Sequence, residues 1–206
     1  MKRVAKLACM VLLLALLGCN GKTVATDTVP NTGFPSVELA DDMRHLDWKE
    51  ASGIGTCTDP DFPLQGPQAG VKVRSDIYVY AESDIPTDLC LLFRERLLTS
   101  WGRWDLLKGG QITVNENVYY EQFGLIRFDQ ETPDKKSFKD YLAEQGYKTP
   151  EKGFMIYKLS RNMSTKRRFE LIYLYSLDKV PTEAMTDNAK AMGFLRDRFA
   201  ERVKLS

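Results

Sequence analysis

The chain has 206 residues, with 29 basic and 28 acidic side chains and a formal net charge of +1. That balance excludes the basic excess of a nucleic-acid binder, and 10 Phe, 9 Tyr and 3 Trp exclude a chain too poor in core material to fold. One His and 4 Cys are too few for a histidine-rich metal site, and no cofactor motif is present.

The first segment differs from everything after it. Lys2, Arg3 and Lys6 precede an apolar run, Leu7 to Leu17, with no polar face. About eleven residues are too few to span ~30 Å of hydrocarbon as a helix, so the run reads as a signal rather than a membrane span. It ends in Leu16-Leu17-Gly18-Cys19. In charge, length and box this resembles the bacterial lipoprotein signal with its lipobox. The resemblance implies cleavage before Cys19, a diacylglyceryl group on its thiol, and acylation of the new amino group. Asn20, where an inner-membrane protein tends to carry Asp, implies an outer-membrane protein facing the periplasm if the host has such a membrane. Two or more acyl chains hold a protein stably, whereas one holds it marginally. Three of the 29 basic residues leave with residues 1–18, so the mature chain of 188 residues has 26 basic against 28 acidic groups, a net −2. That mild acidity gives no expectation of electrostatic binding to anionic lipid.

With Cys9 in the signal and Cys19 on lipid, Cys57 and Cys90 remain. An exported domain allows them one bridge, closing a loop of ~33 residues and adding about 3 kcal/mol in the chain-entropy view. Two separate buried thiols are the alternative. A Cys nucleophile with His45 as its base has the composition but no local motif.

Residues 19–36 read as the lipidated Cys and a flexible tether rich in Thr, Asn, Gly and Pro. Residues 37–206 form a single domain. Residues 37–70 are weakly patterned. Val37 to Trp48 fits a short helix or a run along the domain, and repeated Gly and Pro then imply a long ordered loop with a turn at Ser52-Gly53-Ile54-Gly55. Val71 to Ala81 is a strand: Val71, Val73, Ser75, Ile77, Val79 and Ala81 share one face, and Lys72, Arg74, Asp76, Tyr78 and Tyr80 the wetter one. Asp88 to Ser100 is expected to be helical, with Thr87 as cap and Leu89, Leu92, Phe93 and Leu97 at helical spacing, although Leu91-Leu92-Phe93 also fits a buried strand. Arg94-Glu95-Arg96 then reads as a helix surface rather than an anion site, and Lys166-Arg167-Arg168, at a strand entry, as an edge-protecting charge cluster rather than a site for lipopolysaccharide, phosphate or a partner's acidic patch.

Gln111 to Asn117 and Val118 to Asp129 are strands with a turn near Asn115 to Asn117. Ser137 to Asp140 has capping-box spacing for a helix with Phe138, Tyr141 and Leu142 inward and Gly146 as its stop. Gly153 to Ser160 and Arg168 to Leu177 form an antiparallel hairpin, the second strand apolar on both faces and so central. A last helix begins near Pro181-Thr182-Glu183, with Thr182 as cap. Its stripe runs through Met185, Ala189, Met192, Leu195, Phe199 and Val203. The mixed charge on its far side favours packing on the sheet over lying on a membrane. The expected fold is therefore α+β, a single mainly antiparallel sheet with a C-terminal amphipathic helix packed on it. Its layout is similar to that of small exported PsbP-type domains, with no motif shared.

No catalytic signature emerges. His45 has no partner motif, and the Asp41-Asp42 and Asp59/Asp61 carboxylates miss calcium-loop spacing. Tyr78 and Tyr80 on the strand, with Trp101 and Trp104, are the candidate contact face for a protein or glycan. The expectation is a membrane-anchored envelope lipoprotein acting as a non-enzymatic binding, assembly or accessory domain with an envelope protein partner. The alternatives are an envelope hydrolase whose site is assembled from distant residues, with His45 or a carboxylate pair in a cleft, and a small-ligand carrier with a pocket between sheet and terminal helix.

Overall fold

The computed structural model describes residues 33–46, 53–56, 71–82, 87–100, 102–104, 106–128, 139–140, 142–143 and 146–205. Strands β1 (Val37–Leu39), β2 (Arg44–Leu46) and β3 (Gly53–Thr56) are short; the first two lie where the sequence reads as a short helix or a run along the domain, and the third where it reads as a turn. Three or four residues carry no readable period, and these strands form through backbone pairing: β2 and β3 each pair with part of β4 (Lys72–Ala81). In β4 the expected alternation holds. Ser75, Ile77, Val79 and Ala81 are buried, while Asp76, Tyr78 and Tyr80 are half-buried.

Asp88–Leu97 is strand β5, not a helix. Five consecutive apolar residues, Leu89 to Phe93, leave a helix no polar side over that stretch. They suit a strand covered on both faces, and every residue from Asp88 to Arg94 is buried. Strand β6 (Gly110–Val114) turns into β7 (Asn117–Arg127) through Asn115 and Glu116, both at positive φ (47° and 66°), the backbone of a tight hairpin turn. Residues 139–143 include a helical turn closed at Gly146 (φ +85°), where the Gly146 and Tyr147 amides donate to the Ala143 and Leu142 carbonyls. Ser137, Phe138 and Tyr141 of that expected helix lie outside the described residues.

The β8 (Gly153–Asn162) and β9 (Arg167–Ser176) hairpin is present, and β9 is buried on both faces. Gly153 is required where β8 begins. Its φ is +108°, and a Cβ there would come within 1.9 Å of the Ile126 carbonyl oxygen. Two 3-10 turns, Leu177–Lys179 and Thr182–Met185, precede helix α1 (Asn188–Arg202). The helix cap is Asp187, whose side chain accepts from the Lys190 amide, and not Thr182. The chain ends in β10 (Val203–Leu205).

The main sheet is eight-stranded and antiparallel in every described pairing. Its order is β2-β4-β5-β9-β8-β7-β6, with β3 also on β4. A separate two-stranded ribbon, β1-β10, corrects the expectation of a single sheet. Both faces of the main sheet carry core. On one, Ile77, Val79, Leu91, Phe93, Ile156, Ile172 and Leu174 pack with Leu142 and Tyr147. On the other, Leu92, Leu159, Leu171 and Tyr173 pack under α1 and the ribbon. The helix covers this face with Leu195 and Phe199, assisted by Phe194 and Ala191, while Met185 of the expected stripe is 38% exposed. Phe199 stands edge-on to Tyr157 and Tyr173, with ring centres 4.8 and 5.8 Å away.

Phe199→Ala is expected to cost about 3–5 kcal/mol in urea unfolding, and Met185→Ala no more than about 0.5 kcal/mol. Equal costs would contradict this placement of the helix.

Candidate functional site

The register lines up side chains in rows across the strands. On the face beneath α1, one row reads His45, Tyr80, Cys90, Tyr173, Tyr157 and Phe123 on β2, β4, β5, β9, β8 and β7. The next row but one reads Asp76, Arg94, Phe169 and Arg161, and beyond it stand Arg74, Arg96 and Arg167, directly opposite one another on β4, β5 and β9. Aromatic chemistry thus gives way to cationic chemistry along one face.

Phe34 closes over the cationic end. It is buried, and the guanidiniums of Arg94, Arg96 and Arg167 lie 5.8, 5.6 and 5.8 Å from its ring centre. This is the attraction of cations to the electron-rich ring face. Arg94 Nη2 also donates to the Pro35 carbonyl at 3.5 Å. The first described residues of the chain are therefore fastened onto the arginines.

The opposite face carries a balanced polar row at the same end: Ser75, Glu95, Arg168 and Asn162, one from each of β4, β5, β9 and β8. Glu170 lies in the adjoining row and pairs with buried Lys158 at 2.9 Å and with Arg168 at 4.0 Å. Arg168 donates to Asn162 at 3.0 Å and stacks on Trp104, its guanidinium 4.1 Å from the ring centre. Burial, and then the neighbouring Glu170, push Glu95 up to about 7, against the pull of Arg168 and Lys158 and a hydrogen bond from Ser75. Glu170 is thus paired with two cations, while Glu95 beside it is held toward its neutral form.

The described members of the expected contact face divide between the two faces of the sheet. Tyr78 and Tyr80 are half-buried on the α1 side, Trp104 is buried on the other, and Trp101 lies outside the described residues. His45 is exposed, with its ring centre 5.2 Å from Tyr80 and 6.2 Å from Tyr78. Cys90 is a free, buried thiol, not half of a bridge, and Cys57 lies outside the described residues. Burial pushes the Cys90 thiol up to about 12, the reverse of what a nucleophile needs, and Tyr80 stands between it and His45 in the row. A cavity of about 160 Å³, lined by Val37, Leu39, Tyr80, Cys90, Leu92 and Arg94, lies between β1 and the sheet. It is smaller than the ~300–1,000 Å³ of a small-molecule site, and the space between sheet and α1, where a carrier's pocket was expected, is filled by Leu195 and Phe199. Among the described residues no group of three metal-ligating side chains converges, and no helix is long and apolar enough to cross a membrane.

Sequence reasoning missed the arginine row because its members come from three distant segments and because Arg94-Glu95-Arg96 read as a helix surface. Alternation along a strand was the signal that could have found it. No family model, curated protein or solved structure matches the chain.

An unfolded Glu releases its proton near 4.5, whereas Glu95 in the fold keeps its proton up to about 7. The folded state binds more protons across that window, so this group's contribution to stability falls as pH rises from about 4.5 to 7. Glu95→Gln should therefore gain about 1–2 kcal/mol relative to wild type at pH 8 compared with pH 4.5. Urea unfolding at both pH values checks this, and a difference independent of pH would contradict it.

Proposed function

We propose that the chain is a lipid-anchored protein of the bacterial envelope, held through Cys19, whose domain is a non-enzymatic binding or assembly module. On this reading it faces the periplasm from the outer membrane, where the host has one, and works beside an envelope protein partner. Support for the anchor comes from the signal-like run and the Leu16-Leu17-Gly18-Cys19 box.

The observation that carries the binding role is the fastening of Phe34 and Pro35 on the arginine face. Phe34 is fifteen positions after Cys19, and a coil of that length spans about 20 Å. A lipid on Cys19 would hold the domain by the edge of its cationic face and keep that face close to the membrane. The hydrolase alternative draws on Glu95 and Glu170, but the pairing of Glu170 with Lys158 and Arg168 favours binding over catalysis.

Mass spectrometry of the exported protein is expected to find Cys19 as the first residue, carrying a diacylglyceryl group. Cys19→Ser should lose that lipid and leave the membrane fraction. An unmodified Cys19 thiol, or undiminished membrane retention of the variant, would overturn the anchor.

A further inference from the structure

Among the described residues the sheet's cationic end is predominantly of one sign. In the two rows that form it, Arg74, Arg94, Arg96, Arg161 and Arg167 stand with one carboxylate, Asp76, which pairs with Arg74 at 3.3 Å. Lys72, two residues before Arg74 on β4, shares its face. Lys72 and Arg74 are exposed, and Arg96, Arg161 and Arg167 are partly so. Like charges directly opposite in a sheet repel, and Arg74, Arg96 and Arg167 make two such pairs in succession. No carboxylate among the described residues pairs with Arg96, and its Nε is buried with no hydrogen-bond partner there. Phe34 offers its guanidinium only a ring face.

A fold held by its own charges would have alternated the signs here, as it does on the opposite face of the same strands with Glu95, Arg168, Glu170 and Lys158. Guanidinium forks match the oxygens of a phosphate, so a row of them at an exposed end of a sheet fits a phosphate-bearing surface. The mature net charge of −2 hides this, because that figure sums over faces.

We propose that the Arg74-Arg96-Arg167 row, flanked by Lys72 and Arg161, binds the phosphate headgroups of an anionic lipid surface and seats the domain on the membrane to which it is tethered. The orientation rests on the anchored reading, since Phe34 brings the chain from Cys19 onto this row. The headgroup chemistry rests on the row alone. Charge complementarity and the short reach of the chain before Phe34 favour the membrane over a soluble anion.

The test compares the full chain with Arg74→Gln/Arg96→Gln/Arg167→Gln on zwitterionic phosphatidylcholine vesicles and on vesicles containing phosphatidylglycerol, at fixed low ionic strength. A control replaces Lys108, Lys152 and Lys179, exposed away from the row, by Gln. One basic group at an anionic surface contributes about a fivefold gain, so the arginine variant should lose at least about tenfold in binding to the anionic vesicles. It should change little on phosphatidylcholine. The control should stay near wild type, and Arg→Lys at the three positions, which keeps the charge but not the fork, should bind the anionic vesicles more tightly than the Gln variant and less tightly than wild type, which separates lost charge from lost fold. Equal losses in the control and the arginine variant would reduce the effect to net charge and overturn the site. Displacement by millimolar inorganic phosphate at constant ionic strength, without any preference for anionic vesicles, would assign the row to a free anion and overturn the membrane. Failure of the anchor would appear separately, as an unmodified Cys19, because wild type and variant share the same N-terminal segment in every vesicle measurement.

Discussion

The two-residue alternation of the paired central strands β5 and β9 is the constraint on which the rest depends. Both strands are buried along their apolar stretch and both become charged towards the same end of the sheet, where β5 runs Phe93-Arg94-Glu95-Arg96 and β9 opens with Arg167-Arg168-Phe169-Glu170. A strand sends neighbouring residues to opposite faces. Arg94, Arg96 and Arg167 therefore go one way, and Glu95, Arg168 and Glu170 the other. Two runs that look mixed along the chain become one neutral face and one cationic face. A one-residue shift of either strand would exchange its contribution and bury the apolar residues wrongly, so the core enforces the sorting.

The other end of the α1 face is closed by the opposite device, a buried carboxylate serving several cations. Asp88 is 1% exposed, accepts from the Tyr173 hydroxyl, and faces Arg198 at 3.6 Å and Arg202 at 3.2 Å. Burial pushes it up to about 6. Arg202 continues outward to Asp42 at 2.8 Å and Glu82 at 3.3 Å. This ties the last turn of α1 to β5 and to the segment after β1. Since β10 follows α1 directly and pairs with β1, the same contacts fix the ribbon that continues from Phe34. The chain's first described residues and its last strand are thus held on one face, the aromatic part under the helix and the cationic part under Phe34.

Much of this fold was legible in the residues. β4 and the β8-β9 hairpin show their alternation openly, and Leu195 and Phe199 mark the buried side of α1. β5 was not legible, because five apolar residues in a row have no period, and the spacing of Leu89, Leu92, Phe93 and Leu97 satisfies a helix as well. The strands β1 to β3 are too short to carry a pattern. The expected helix start falls on a 3-10 turn, which Thr182 and Glu183 begin, and the helix itself is capped five residues later by Asp187. The site was the least legible part. Arg74, Arg96 and Arg167 meet only through register, and the aromatics singled out for contact divide between the two faces. The proposed lipid signal is the reverse case: the reading rests wholly on the order of residues 1–19 and not on tertiary structure.

The sorting of charge by β5 and β9 is tested most directly by a double-mutant cycle between Arg96→Gln and Arg167→Gln, read by urea unfolding at low ionic strength. Directly opposed guanidiniums should show a repulsive coupling of about 0.2–1 kcal/mol that fades in ~0.5 M salt. A coupling of zero, or an attractive one, would mean that the two arginines do not face each other across the sheet and would contradict the account.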